Sequence, residues 1–116
     1  TAIGKVLIAW LGETELNDLL EGYQYTTFTP ATLASREALI SALAQTREQG
    51  FALDREENEQ GVRCVAVPVW NHESRVIAAL SLSTLTSRVD DAELANFREQ
   101  LQQAGLELSR ALGYPA

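Results

Sequence analysis

One thiol and two hydroxyls fall where strand pairing would bring them onto a single surface. Two apolar, β-branched runs, Val62 to Trp70 and Arg75 to Ser83, flank the polar break Asn71-His72-Glu73-Ser74, which is the pattern of a β-hairpin. An even-length turn centred between His72 and Glu73 pairs Cys64 with Ser81 and Val62 with Ser83. Side chains alternate along a strand, so these four residues share one face with Ala66, Ile77 and Ala79. That face is apolar at one end and hydroxyl-bearing at the other, which suits the floor of a small-molecule pocket. A purely structural reading fits the same residues: Cys64 as a small buried apolar side chain, and Ser81 and Ser83 as the wet side of a half-exposed strand.

A second chemical feature lies at the start of the chain. Ile3, Val6, Leu7 and Trp10 have helical spacing, with Thr1 placed as N-cap and Gly12 as terminator. The free backbone N–H groups would belong to residues around Ala2 and Ile3, and such a helix start favours an anion such as a carboxylate. Water or the Thr1 side chain satisfies the same donors equally well.

Enzymatic chemistry finds no support. His72, the only histidine, falls in the hairpin turn while Cys64 lies well inside a strand, so a Cys-His catalytic pair has no geometry. One cysteine and one histidine cannot build the usual structural zinc site. The run Asp54-x-Glu56-x-Asn58 resembles a calcium loop, but Glu59 stands where an EF-hand needs glycine, and Gly61 comes two residues late. No phosphate-binding glycine loop, nucleophile elbow or HExxH motif occurs, and no cofactor is called for.

With 116 residues, one α+β domain with a real core is expected. The net charge of −7 disfavours phosphate backbones, so the chain by itself is a poor partner for nucleic acid. No apolar run approaches the ~20 residues that span a membrane, and the single cysteine agrees with a reducing, cytoplasmic setting. The start at Thr1 lacks both Met and signal-peptide character and reads as the interior of a longer protein.

The elements that would position the chemistry follow in order. After the first helix comes a second from Glu13 to about Leu20, stopped by Gly22, and then an extended connector from Tyr23 to Pro30. The positions Leu39, Ile40, Leu43 and Ala44 stripe a helix from Ser35 to Gln49 that would lie on the sheet, with Gly50 closing it. Phe51 to Asp54 reads as a strand, Glu56 to Glu59 as an acidic loop. Behind the hairpin, Asp90 and Glu93 have capping-box spacing, and Leu94, Phe97, Leu101, Leu108 and Leu112 mark the face that a long final helix would lay on a mainly antiparallel sheet.

Three motifs give this order a family resemblance: Thr1-Ala-x-Gly-Lys5; Gly50-Phe-Ala-x-Asp54-x-Glu-Glu-x-x-x-Gly61-Val-x-Cys64-x-Ala-x-Pro68-Val; and Ala78-Ala-Leu-Ser81-x-Ser83. The chain resembles, over essentially all its residues, the effector-binding domain of IclR-family transcriptional regulators, and within that family the repressors of sugar-acid catabolism, including the type that governs a diketogulonate-utilisation operon. The resemblance implies a GAF-like fold over residues 1–116 that lacks its first strands. It also implies a small carboxylate or sugar-acid effector, association as homodimer or tetramer, and DNA contact only through a winged helix-turn-helix absent from this chain. It puts the anion site on Thr1 and Ala2, the pocket acid on Asp54, the apolar wall on Val62, the thiol on Cys64 and the hydroxyls on Ser81 and Ser83. The turn Asn71-His72-Glu73-Ser74 departs from the family's usual Asp/Gly-containing turn. A structural or oligomerisation module without a ligand, with Trp10 or Trp70 at its interface, is the alternative.

Overall fold

Small residues set how closely the first helix approaches the sheet. In the computed structural model, which describes residues 1–115, helix α1 (Ala2–Ala9) lays Ala2 and Val6 directly on Ala52 and Ala66. Ala116, the last residue of the expected domain, lies outside the described residues. Thr1 caps the helix, its Oγ1 accepting from Gly4 N at 3.1 Å. A methyl group at Gly4 would stand 3.0 Å from that Oγ1, so glycine there leaves the cap room to close.

Helices α2 (Glu13–Leu20) and α3 (Arg36–Gln49) pack on α1 through Ala9, Leu16, Leu20 and Leu43. Ser35 caps α3, and Gly50 ends it in the left-handed region at φ 82°. The expectation that α3 lies on the sheet is only partly met: its main partner is α1, its main sheet contact is the short strand β1, and Ala44 of the expected stripe is exposed. The cause is α1, which already occupies that face.

Strands β1 (Ala52–Arg55), β2 (Val62–Trp70) and β3 (Val76–Leu85) form one antiparallel sheet in the order β1-β2-β3. The architecture is α+β, with α1 to α3 on one face and α4 (Asp91–Ala111) on the other. Between the sheet and α4 a second core gathers Phe51, Val65, Val67 and Leu94.

The register differs from the expected one by two residues. Cys64 is paired with Ser83, Ala66 with Ser81 and Val62 with Leu85. The loop between Trp70 and Val76 holds five residues, and a bulge between Val69 and Trp70 adds Ile77 as one more unpaired residue on β3. An odd loop would have turned β3 over; the bulge restores parity, so the same side chains face α1 although their partners change. Asn71 shapes this loop, its Oδ1 accepting from Glu73 N at 2.9 Å and Arg75 N at 3.1 Å, while Ser74 takes the left-handed position (φ 59°) that glycine fills more readily. Ile77, expected on the shared face, is 53% exposed at the bulge.

The long final helix also meets the sheet differently from the leucine pattern. Leu108 and Leu112 are 40% and 42% exposed, whereas Gly105 and Ser109 are buried. A methyl group at Gly105 would stand 2.8 Å from Val67 Cγ2, so only glycine allows this approach. Ser109 Oγ then accepts from Trp70 N at 2.9 Å and donates to Gly105 O at 2.7 Å, which satisfies the backbone beside the bulge. The expected capping box, Asp90 with Glu93, is present.

Candidate functional site

Across the sheet, Asp54, Cys64 and Ser83 form one row, and Ala52, Ala66 and Ser81 the next. Both rows face the start of α1. Above them a cavity of about 410 Å³ is lined by Thr1, Ala2, Ile3, Asp54, Val62, Cys64, Ser81 and Ser83, together with Asn58 and Glu59 from the acidic loop. All seven residues singled out from the sequence meet there. Ile3, Asn58 and Glu59 were not anticipated as lining residues; Ile3 follows from the helix start itself, but nothing in the loop's sequence indicates which of its side chains turn inward.

Each wall is fixed locally. Gly4 N is engaged by Thr1 Oγ1 and Lys5 N by Thr1 O, so the first free helical donors are the N–H groups of Ala2 and Ile3. Opposite them, Cys64 Sγ and Ser83 Oγ share a hydrogen bond at 3.2 Å, while both serines are exposed to the cavity side. Asp54 is only 3% exposed; its Oδ1 accepts from Glu57 N at 2.8 Å, leaving the second carboxylate oxygen without a donor among the described residues.

The acidic run is a braced loop. Glu56 Oε1 accepts from Gly61 N at 3.0 Å, with Glu56 and Gly61 both at positive φ. Glu57 bonds the buried Lys5 Nζ at 2.6 Å, and that same Nζ donates to Leu53 O at 2.6 Å. Lys5 thereby ties α1 to β1 and to the loop. Thr29 of the connector and Thr32 just after it donate to the backbone oxygens of Glu56 and Glu57, a role the sequence there did not suggest. Of the loop acids, Glu59 reaches the cavity without any of these ties.

Chemically the cavity pairs backbone donors suited to a carboxylate with a carboxylate, a thiol and two hydroxyls suited to a ligand's own hydroxyl or carbonyl groups. Nothing in it forms a nucleophile–base pair: His72 lies in the hairpin loop beside Glu73, at 3.5 Å. Among the described residues no group of three His, Cys, Asp or Glu could hold a metal ion. A second cavity, of about 380 Å³, lies beyond Lys5 under the connector, lined mainly by Ile8, Leu19, Leu20, Tyr23, Phe28 and Leu39. Its lining is mainly apolar, with Thr1, Tyr25, Thr26 and Thr32 adding hydroxyls and with Lys5 and Glu57 already paired to each other.

Trp10 and Trp70 are engaged within the domain. Their rings meet edge to face at 5.1 Å, and Trp70 stacks on Tyr114 at 5.7 Å. Among the described residues no helix is long and apolar enough to cross a membrane.

An α+β domain with a small polar cavity between a helix start and an antiparallel sheet is the setting in which comparison with known proteins is informative. The family model for the bacterial transcriptional regulator IclR C-terminal domain matches residues 1–110, and the chain belongs to that family. It is 95% identical over 116 residues to the HTH-type transcriptional regulator XynR of Escherichia coli strain K12, covering 100% of this chain and 46% of XynR. The crystal structure of the C-terminal domain of E. coli KdgR matches with a TM-score of 0.92 and 45% identity, over 98% of this chain and 70% of that one. The inducer-binding domain of PobR from Acinetobacter, solved as a double mutant with 3-hydroxybenzoic acid, matches with a TM-score of 0.87 and 32% identity, over 94% of this chain and 63% of that one. The chain thus spans about half the length of the curated relatives it matches, and these relatives are transcriptional regulators, not enzymes.

Proposed function

We propose that this domain senses a small carboxylate, of the sugar-acid class, for a transcriptional regulator of a carbohydrate catabolic operon. The observation that carries the reading is the convergence of the free N–H groups of Ala2 and Ile3 with Asp54, Cys64, Ser81 and Ser83 on one cavity. The carboxylate sits on the helix start, Val62 forms the apolar wall, and the ligand's hydroxyl or carbonyl groups meet Asp54, Ser81 and Ser83. The PobR complex supports a carboxylate in a domain of this fold.

Effector binding acts by differential affinity for two arrangements of the regulator, and so alters operator affinity. DNA reading belongs to a part of the protein outside these residues, which a net charge of −7 supports. The outer edge of β3 has no strand partner among the described residues, and the KdgR domain extends beyond the matched region; both support a sensor domain completed by further strands. The regulator works in the cytoplasm as a homodimer or tetramer. A panel of sugar acids tested by thermal shift checks the reading: an effector at one hundred times its Kd stabilises by about 2.7 kcal/mol. If no acid shifts the transition, or if the shift is unchanged in the Ser81→Ala/Ser83→Ala variant, the reading fails.

A further inference from the structure

On the face of the sheet away from that cavity, three of the chain's eight arginines converge. Arg55 of β1 and Arg63 of β2 are direct cross-strand partners, an arrangement in which like charges repel. Arg98 of α4 lies over the Phe51 ring, its Cζ 4.7 Å from the centroid. All three line a cavity of about 370 Å³ together with Phe51, Leu53 and Leu94.

The carboxylates at hand do not balance this charge. Asp91, also in the lining, pairs with Arg63, whose Nη2 donates to Val89 O at 2.6 Å, and Glu99, outside the lining, pairs with Arg98 at 3.7 Å. Glu57, which accepts from the Arg55 backbone N–H, is committed to Lys5. The Arg55 guanidinium has no partner among the described residues, and the Nε groups of Arg63 and Arg98 are buried without an acceptor. Three guanidiniums thus meet around one cavity whose lining holds a single carboxylate, Asp91, and the exposed Arg55 is left unpaired among the described residues.

We infer that this cavity is a second ligand site, taking a small multivalent oxyanion that bridges Arg55, Arg63 and Arg98. The guanidinium fork matches phosphate and carboxylate oxygens alike, and such a ligand relieves the Arg55–Arg63 repulsion. Phe51 and Leu53 give it an apolar base. The site stands apart from the proposed effector cavity, on the opposite face of the sheet.

Calorimetric titration of the complete regulator with inorganic phosphate and with citrate, against chloride at constant ionic strength, tests this. Saturable binding is expected, and Arg55→Gln, a change at an exposed side chain, weakens it by roughly tenfold or more, the loss of one charge-assisted contact. Asp91→Asn releases Arg63 Nη1 from its carboxylate, with Nη2 still on Val89 O, and tightens binding, a gain that a merely damaged fold cannot produce. The Ser81→Ala/Ser83→Ala variant binds as the parent does. Tighter phosphate than citrate marks a phosphorylated ligand, and the reverse a polycarboxylate. No binding beyond chloride, unaltered binding in Arg55→Gln, or loss in the serine variant overturns the proposal.

Discussion

Cys64 and Ser83 stand directly opposite each other on β2 and β3, with Sγ 3.2 Å from Oγ. Asp54 lies opposite Cys64 on its other side, so a carboxylate, a thiol and a hydroxyl cross the sheet in one row. That row faces the helix donors of Ala2 and Ile3, and the predictions below turn on what it and its supports contribute.

Replacing Ser83 by Ala removes the thiol's partner at a site open to solvent. Stability should change by less than about 1 kcal/mol, while affinity for a hydroxylated acid should fall roughly five- to tenfold, the worth of one net hydrogen bond. Denaturant titration and calorimetry on the same variant separate the two effects.

Asp54 has one carboxylate oxygen engaged by Glu57 N and one free. Asp54→Asn keeps an acceptor for Glu57 N and removes the charge. Affinity for acids that carry hydroxyls should drop, whereas an unsubstituted acid such as propionate, which gains from the lost repulsion, should bind no worse. Equal losses for both acids would show that Asp54 does not read ligand hydroxyls.

Lys5 is 7% exposed and pairs with Glu57 at 2.6 Å. Lys5→Ala leaves Glu57 without its cation and Leu53 O without its donor, at a cost of about 3–5 kcal/mol. A chemical denaturation curve should show it, and adding Glu57→Gln should recover part of the loss. The same pair holds the acidic loop against α1, so effector affinity should fall with stability.

Behind the sheet, Gly105→Ala forces a methyl group against Val67 and should cost about 1–3 kcal/mol. Ser109→Ala strands the Trp70 N–H and should cost about 1–3 kcal/mol as well. Thermal or denaturant unfolding measures both. Neither residue lines the proposed effector cavity, so ligand affinity in the folded variants should remain near that of the parent.

Much of this architecture is legible in the residues. The caps at Thr1 and Asp90, the left-handed Gly50, and the face shared by Cys64, Ser81 and Ser83 follow from local chemistry and from the period of a strand. The hairpin partners do not, because a five-residue loop and a one-residue bulge compensate each other, and neither leaves a mark in the apolar alternation. Leu108 and Leu112 mislead for another reason: α4 meets β2 through its smallest side chains, Gly105 and Ser109, and close approach outweighs apolar area there. Likewise, the acidic run reads as a solvated loop until Lys5, distant in sequence, is seen to anchor it.

The most direct test of the central claim is a crystal structure of the complete regulator with the tightest-binding sugar acid. The account expects the ligand carboxylate about 3 Å from the Ala2 and Ile3 N–H groups, with its hydroxyls toward Asp54, Ser81 and Ser83. A ligand lodged instead in the apolar cavity beneath Tyr23 and Phe28, or one that leaves Asp54, Ser81 and Ser83 untouched, would contradict it.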